Sequence, residues 1–316
     1  MMNDFIRMIE QADTICILGH TKPDGDCVGS TLGMYNYIIS NYQDKQVQVY
    51  LEEFNKDFMF LNGADLVCHE LDDRKYQLCM VLDCGDTKRP GEFIKYYNEA
   101  EHTICVDHHV SNKGFGDYCN VDPDACAASE VIYKLIDSDK INKYTAECLY
   151  MGIVHDTGVF KHSNTTKSAM TIAGDLIEKG ARPSFIIDYT FYKKTFSQNK
   201  LMARAIDSAK LYHNGMIIVG LLSEDDFKET GTFKGDTDGI IDQLRITEGI
   251  EAAVFIYQTG PDECKISMRS NDIVDVSSIC VALGGGGHLR AAGVTIKNTL
   301  NEAAAIAVSM IEEQLP

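Results

Sequence analysis

The first 180 residues alternate short apolar runs with segments of helical periodicity, and this alternation constrains the fold more than any other feature. The apolar runs predict strands at Thr14–Leu18, Val47–Leu51, Leu78–Leu82 and Thr103–Val106. The helical spacing predicts helices at Val28–Ile39, Glu92–Tyr97, Ser129–Ile136, Lys143–Val154 and Ser168–Glu178. Such an alternation favours the α/β fold class, with a mostly parallel sheet flanked by helices.

The pattern changes after Pro183, which indicates a second domain. Residues 184–211 keep helical spacing and predict a helical connector. Beyond the connector, strands are predicted at Met216–Leu222, Ala252–Tyr257, Cys264–Met268 and Gly293–Ile296, and helices at Gly239–Ile246, Val276–Ala282 and Leu300–Glu313. We therefore expect an N-terminal domain over residues 1–183, a smaller C-terminal α/β domain over residues 212–316, and a site in the interdomain cleft.

Acidic and imidazole side chains stand at or near the ends of the predicted N-terminal elements. They are His20, Asp24, Asp26, Asp83, the run Asp107-His108-His109, and Asp156. Each motif alone is common as a turn or a helix cap. However, ligands of open parallel sheets collect at the carboxyl ends of the strands, so four such motifs together predict one shared site. Carboxylates and imidazoles suit Mn²⁺, Mg²⁺, Fe²⁺ or Co²⁺, and a pair of such cations predicts hydrolytic chemistry.

Local patterns suggest roles for the residues around these motifs. Gly25 is expected to adopt backbone angles that other residues resist. Gly29 and Ser30 are expected to begin a helix whose free N–H groups favour anions. Cys27 and His155 are expected to be packing residues.

The composition limits the partners and the compartment. A net charge of −18 argues against a surface that binds long duplex nucleic acid. The 11 cysteines are scattered and contain no Cys-x-x-Cys pair, which favours free thiols in a reducing compartment. The first eight residues lack an apolar signal region, and no segment is long enough to span a bilayer. These features predict a cytoplasmic protein without a membrane partner; a homodimer remains open.

A run of glycines near the C-terminus and one arginine are the strongest candidates for substrate contacts. Four glycines, Gly284 to Gly287, precede His288, and exposed N–H groups of such a run are suited to an anion. Arg269 follows a predicted strand, and its guanidinium can bind two phosphate oxygens at once. No specific role is predicted for Arg290.

Taken as a set, these motifs resemble those of the DHH phosphoesterase superfamily, which is named for runs such as Asp107-His108-His109. The segment from Gly284 to Gly293 is similar to the hallmark of the DHH-associated C-terminal domain. The order and spacing of the motifs agree over nearly the whole chain. Within the superfamily, the length and compact form resemble the bacterial oligoribonucleases that also act as 3′-phosphoadenosine 5′-phosphate phosphatases.

The resemblance implies a pair of divalent cations as cofactor, with Mn²⁺ preferred and Mg²⁺ or Co²⁺ as alternatives. One cation would be held by His20, Asp24 and Asp83. The second would be held by Asp26, Asp83, His108 and Asp156, so that Asp83 bridges the two.

The resemblance also implies roles in catalysis and in substrate binding. Asp107 would orient a neighbouring group, and His109 would face the substrate phosphate. The implied substrate-binding residues are Arg269, Gly285, Gly286, Gly287 and His288.

The function that follows is hydrolysis of short single-stranded RNA to mononucleotides by a metal-activated water, with 3′-phosphoadenosine 5′-phosphate as a second substrate. Two alternatives stay open. The first is a phosphodiesterase of linear pApA or cyclic di-AMP. The second is a metal-dependent nucleotide sensor without turnover, against which the complete set of carboxylates argues.

Overall fold

The computed structural model describes residues 4–316, and the chain divides into two compact units, Met1–Lys193 and Lys194–Pro316. The boundary between the units falls inside the segment predicted as a connector. That segment holds most of the helix α7, Pro183–Ile187, then a π-helical turn at Asp188–Tyr192 and the helix α8, Phe196–Asp207. The predicted helical end of the connector is wrong, because a strand begins at Lys210.

The first unit is built on one five-stranded sheet. Its strands are β1, Thr14–Leu18; β2, Gln46–Tyr50; β3, Leu78–Leu82; β4, His102–Asp107; and β5, Tyr118–Val121. Their order is β2-β1-β3-β4-β5, and all four pairings are parallel. The structure therefore confirms the predicted parallel sheet, and it adds the edge strand β5, which the sequence pattern did not reveal.

Seven α-helices belong to the described part of this unit. Besides α7 they are α1, Asp4–Gln11; α2, Gly25–Asn41; α3, Ile94–Glu99; α4, Ala128–Leu135; α5, Lys143–Asp156; and α6, Lys167–Glu178. Every residue of α2 from Gly25 to Met34 is buried, because the helix packs on the sheet and against α5. The two helices approach closely at Gly29, where a Cβ atom would lie 2.6 Å from the carbonyl oxygen of Cys148.

The second unit is built on a mixed six-stranded sheet. Its strands are β6, Lys210–Tyr212; β7, Ile217–Leu222; β8, Ala252–Gly260; β9, Glu263–Ser270; β10, Gly286–His288; and β11, Ala291–Ile296. The order is β10-β11-β9-β8-β7-β6, and only the β7–β8 pairing is parallel. The remaining helices are α9, Glu224–Thr230; α10, Ile240–Arg245; α11, Val276–Ala282; and α12, Leu300–Glu312.

Helices cover the two faces of the second sheet unequally. One face packs along its length against α11 and α12. On the other face, α8, α9 and α10 form a core with the side chains of β7 and β8 alone. The odd-numbered side chains of β9 and β11 on that face are exposed or half-buried. In the part of the chain from Asp4 onwards, none of the helices is long and apolar enough to cross a membrane.

Candidate functional site

The side chains predicted as metal ligands converge in the first unit. The Nε2 atom of His20 lies 3.6 Å from Oδ1 of Asp24 and 3.5 Å from Oδ2 of Asp83. The Nε2 atom of His108 lies 3.5 Å from Oδ1 of Asp83 and 3.2 Å from Oδ2 of Asp156. Four separate segments of the chain therefore bring nitrogen and oxygen atoms to one place.

Asp83 lies at the centre of this cluster. It follows β3 directly, its side chain is 3% exposed, and its φ of 56° is left-handed, which is strained for a residue other than glycine. Within residues 4–316, its buried Oδ1 atom has no hydrogen-bond partner. A buried carboxylate oxygen without a donor is costly, and a cation between the carboxylate and its neighbours would remove that cost. The donor set therefore fits a cation.

Backbone carbonyl groups orient both histidines toward the cluster. Nδ1 of His20 lies 2.9 Å from the carbonyl oxygen of Thr21, and Nδ1 of His108 lies 3.4 Å from that of Ala125. These carbonyls favour the proton on Nδ1, which leaves the Nε2 lone pair facing the carboxylates. Metal-binding histidines are oriented in this way in proteins.

Asp26 is held in place by the start of α4. Its carboxylate accepts hydrogen bonds from the backbone N–H of Ala128 at 2.6 Å, and from the backbone and hydroxyl of Ser129 at 3.1 and 2.6 Å. One ligand atom each from Asp26, His108 and Asp156 lies within 4.8 Å of the other two. Because a carboxylate can accept about four contacts, these hydrogen bonds leave capacity for a cation.

The charges of the cluster perturb one another strongly. Burial and then the charge of Asp83 raise the pKa of Asp26. Burial and the charges of Asp26 and Asp83 raise the pKa of Asp156 in the same way. Burial by itself lowers the pKa of His108, but the carboxylates of Asp83 and Asp26 outweigh it and raise that pKa. Positive charge is thus favoured at this place, as protons or as cations.

The second histidine of the DHH run lies beside the cluster, with its Nδ1 3.6 Å from Oδ1 of Asp83, and it also has a carboxylate partner of its own. Nδ1 of His109 lies 2.7 Å from Oδ1 of Asp107, whose other oxygen accepts a hydrogen bond of 2.8 Å from the amide of Asn112. The hydrogen bond to Asp107 raises the pKa of His109. Asp107 is fully buried, whereas the side chain of His109 is 39% exposed. Sequence reasoning missed Asn112, because nothing in its neighbourhood distinguishes it from a turn residue.

Two local expectations from the sequence are wrong. Gly25 is the first residue of α2, and it must be glycine because a Cβ atom would lie 2.0 Å from Cγ of His155, not because of its backbone angles. Gly29 and Ser30 lie inside α2 rather than at its start, so their N–H groups are not free for an anion. The start of α2 is capped instead by Asp24, whose Oδ1 accepts from the N–H groups of Asp26 and Cys27.

His155 and Cys27 are in packed environments. The ring of His155 contacts Phe58 and Phe191, and its Nε2 lies 3.0 Å from the hydroxyl of Thr190. Burial lowers the pKa of His155 to about 4, so the ring is neutral. Burial also raises the pKa of the Cys27 thiol to about 11, which disfavours the thiolate that a metal would need.

In the second unit, strand register brings the predicted substrate residues together. Arg269 on β9 pairs with Ala291 on β11, and Ala291 pairs with His288 on β10. Directly opposed residues of neighbouring strands point to the same face, so Arg269 and His288 flank the small side chain of Ala291. This row lies on the face whose helical core is confined to β7 and β8, and α10 reaches β9 at the Arg269 end of the row.

Part of the glycine run forms a strand, and some of its glycines are required by close packing against β11. Gly286 and Gly287 belong to β10. At Gly285 and Gly287, a Cβ atom would lie 2.4 and 2.5 Å from carbonyl oxygens of β11. At Gly286, by contrast, a Cβ atom would meet no atom within 4 Å. Close strand packing therefore explains two of the glycines, and Gly286 opens the surface next to His288.

The loop after Arg269 is held by two residues to which the sequence assigned no role. The buried carboxylate of Glu251 accepts hydrogen bonds from the N–H groups of Asp272, Ile273 and Val274. The guanidinium of Arg290 donates to the carbonyl oxygens of Asp272 and Val274. These bonds order the loop that follows β9 and begins two residues after Arg269.

Arg269 itself has few internal contacts. Its Nε lies 3.9 Å from Oδ1 of Asp242, and the same oxygen lies 3.6 Å from Nε of Arg245. Because two guanidinium groups share one carboxylate, positive charge is in excess at this edge of the open face.

The family comparisons agree with the motifs. Residues 14–153 match the N-terminal domain of the DHH family, and residues 214–315 match the DHHA1 domain. Together the matches cover about three quarters of the chain.

Comparisons with individual proteins cover almost the whole chain. The sequence is 28% identical over 301 residues to the bifunctional oligoribonuclease and PAP phosphatase NrnA of Bacillus subtilis, which covers 94% of this chain and 93% of that protein. It is 27% identical to the cyclic-di-AMP phosphodiesterase PdeA of Listeria monocytogenes, covering 96% of this chain and 48% of that protein. Among solved structures, an exopolyphosphatase-related protein from Bacteroides fragilis superposes with a TM-score of 0.83, at 26% identity, over 98% of this chain and 95% of that one. The chain therefore carries a DHH domain over residues 14–153, followed by a DHHA1 domain over residues 214–315.

Proposed function

We propose that this protein is a metal-dependent phosphoesterase that hydrolyses short oligoribonucleotides to mononucleotides and also acts on 3′-phosphoadenosine 5′-phosphate. The observation that carries the proposal is the buried cluster around Asp83, whose Oδ1 atom has no hydrogen-bond partner among the described residues. The relatives named for these two activities, in Bacillus subtilis and Thermus thermophilus, match this chain over 90% or more of their own length.

We propose two divalent cations, with Mn²⁺ preferred over Mg²⁺ or Co²⁺. His20, Asp24 and Asp83 would hold one, and the second would be held by Asp26, Asp83, His108 and Asp156. Cations bound there would lower the pKa of a coordinated water and offset the charge of the phosphoryl oxygens. Mixed carboxylate and imidazole ligands are compatible with each of these ions.

The residues of the DHH run supply a proton donor in this proposal. Asp107 holds the Nδ1 proton of His109 and favours the doubly protonated ring, which leaves Nε2–H free to donate. A phosphoryl oxygen facing the half-exposed His109 would accept that hydrogen bond. Asn112 keeps the second oxygen of Asp107 engaged, so that the carboxylate does not rotate away from the ring.

The second unit would bind the remainder of the nucleotide. Arg269 and His288 flank Ala291 in one row of the open sheet face, and a phosphate above Ala291 would be within reach of both. Gly286 leaves open space beside them. Gly287, and Gly285 just before β10, support the site by allowing this segment to pack closely on β11.

A phosphodiesterase of linear pApA or cyclic di-AMP is the second candidate. The similarity to PdeA of Listeria monocytogenes favours it, because that protein is named as a cyclic-di-AMP phosphodiesterase. This chain spans only 48% of PdeA, whereas it spans 93% of NrnA from Bacillus subtilis. We therefore rank the oligoribonuclease first. A nucleotide sensor without turnover ranks last, because every proposed carboxylate ligand is present.

The state of the cysteines supports a proposal for the cellular compartment. All 11 are free thiols, and nine of them are buried. We propose that the protein acts in the cytoplasm, where thiols stay reduced and short RNA fragments are produced.

One substrate panel tests the function. The purified full-length protein is assayed with Mn²⁺ or Mg²⁺ on RNA of two to five nucleotides, DNA of the same lengths, pApA, cyclic di-AMP and 3′-phosphoadenosine 5′-phosphate. We expect the highest kcat/KM on short RNA, with measurable phosphate release from 3′-phosphoadenosine 5′-phosphate. A higher kcat/KM on cyclic di-AMP than on any linear substrate would make the second candidate correct. No turnover on any member would leave only the sensor.

The perturbed cluster also predicts how the stability of the metal-free protein depends on pH. The folded-state pKa values of Asp26, Asp156 and His108 are raised above their usual values. A raised pKa contributes stability at low pH, and this contribution is lost as the pH rises through the raised value. In EDTA we expect Tm to fall from about pH 6 to 9, and added Mg²⁺ to raise Tm by an amount that grows with pH. Thermal scans over this range measure both. A Mg²⁺ effect that shrinks with pH would contradict the proposed ligands.

A further inference from the structure

The open face of the second sheet carries two more rows of residues beyond the row of Arg269. Next to it, Ser267 pairs with Gly293, and Gly293 pairs with Gly286. The row after that consists of Lys265 and Thr295. All five residues lie on the same face as Arg269, because side chains on a strand alternate with a period of two.

The middle row forms a low floor between two rows of longer side chains. Beyond the buried Phe255 of β8, the row contains only serine and glycine, and a Cβ atom on Gly286 would meet open space. Lys265 lies four residues from Arg269 along β9, about 13 Å away at the usual rise of a strand. The surface thus offers positive charge at both ends and little steric hindrance between them.

Lys265 is not neutralised by the chain itself. Its side chain is exposed, and among the described residues no carboxylate lies within ion-pair distance of its amino group. Glu263, two residues away on the same face, uses its carboxylate to accept a hydrogen bond of 2.6 Å from Thr259. In a chain with a net charge of −18, an unpaired lysine in line with Arg269 is suited to a second anion.

We propose that Lys265, with Thr295, binds a phosphate of an oligonucleotide further along the chain than the phosphate held by Arg269 and His288. The middle row would then lie under the intervening sugar and base. A nucleotide as small as 3′-phosphoadenosine 5′-phosphate would not span the three rows, so Lys265 favours oligonucleotides over mononucleotides. This inference rests on the proposed function, since it assigns a further subsite to the same substrate class.

The test compares K265Q with K210Q. Lys210 lies on β6 opposite Val219, whose side chain belongs to the core on the other face, so K210Q is a matched loss of charge on the same sheet. We expect K265Q to raise KM for a pentaribonucleotide roughly tenfold, the effect of one charge-assisted contact, and to leave kcat/KM for 3′-phosphoadenosine 5′-phosphate unchanged. The slope of log kcat/KM for the pentamer against log salt concentration should decrease by about 0.7. K210Q should change neither quantity.

A binding measurement separates this inference from the proposed function. Fluorescence anisotropy with a labelled pentaribonucleotide is measured in EDTA, where turnover is absent, for wild type, K265Q and K210Q. We expect a weaker Kd for K265Q alone. Three outcomes would overturn the role of Lys265. They are an equal Kd for K265Q and wild type, no binding by wild type, and an equal loss of affinity for the pentamer and for 3′-phosphoadenosine 5′-phosphate. Absence of wild-type turnover alongside a K265Q binding defect would refute only the proposed hydrolysis.

Discussion

Replacing Asp83 by asparagine is expected to lower kcat/KM for short RNA by at least about a thousandfold, while the metal-free protein keeps its stability. The loss corresponds to roughly 4 kcal/mol of transition-state stabilisation, which is the scale of cation contributions to phosphoryl transfer. Stability is retained because the substitution removes a buried charge that lies beside the carboxylates of Asp26 and Asp156. The amide N–H of the asparagine can also donate a hydrogen bond to the Nε2 lone pair of His20.

Two measurements decide this prediction. Steady-state kinetics with Mn²⁺ give the loss of activity, and thermal unfolding in EDTA and in saturating Mn²⁺ gives the stability. Mn²⁺ at about a hundred times its Kd should raise the Tm of wild type by roughly 5 to 10 °C, and D83N should lose most of this shift. The exposed neighbour Asp86 supplies the control, since D86N should behave as wild type in both assays. If D83N binds Mn²⁺ and turns over normally, Asp83 is not a shared ligand.

Replacing Arg269 by alanine is expected to raise KM about 50-fold for RNA of two to five nucleotides and for 3′-phosphoadenosine 5′-phosphate alike. A guanidinium that binds two phosphate oxygens contributes about 2 to 3 kcal/mol, and the row of Arg269 and His288 would serve every substrate. The Mn²⁺-induced rise in Tm should be unchanged, because Arg269 lies outside the unit that carries the proposed metal ligands. The common loss distinguishes Arg269 from Lys265, whose effect should depend on substrate length.

Arg204 supplies the matched control for this variant. It lies on α8 in the same unit, where its guanidinium pairs with Glu229. R204A should therefore leave KM for both substrates within about twofold of wild type, as expected for an exposed ion pair. Lys is the informative second replacement at position 269. R269K keeps the charge but loses the two-point geometry, so it should restore only part of the lost affinity. Wild-type KM values for R269A would remove Arg269 from the substrate site.

Much of the first unit could be predicted, because its strands are short apolar runs and the segments between them show the apolar spacing of helices. Leu78–Leu82 is wholly buried and was identified to the residue, as was Thr14–Leu18. The strand β5 was missed, because Tyr118–Val121 is a half-exposed edge strand without a continuous apolar run. In the second unit, β10 was missed for a related reason, since Gly286–His288 contains no side chain that packs in the core.

The sequence by itself determined the set of chemical groups and the alternation of strands and helices that predicts a mostly parallel sheet. The alternation follows from hydrophobic periodicity, and the DHH domain is recognisable from four short motifs because their residue types are chemically unusual together. Only the tertiary structure decided which atoms meet. Among the described residues, Oδ1 of Asp83 has no hydrogen-bond partner although His108 lies beside it, and Arg269 and His288 flank Ala291 because of strand register. Long-range register and burial arise from packing between segments far apart in the chain, so no local pattern encodes them.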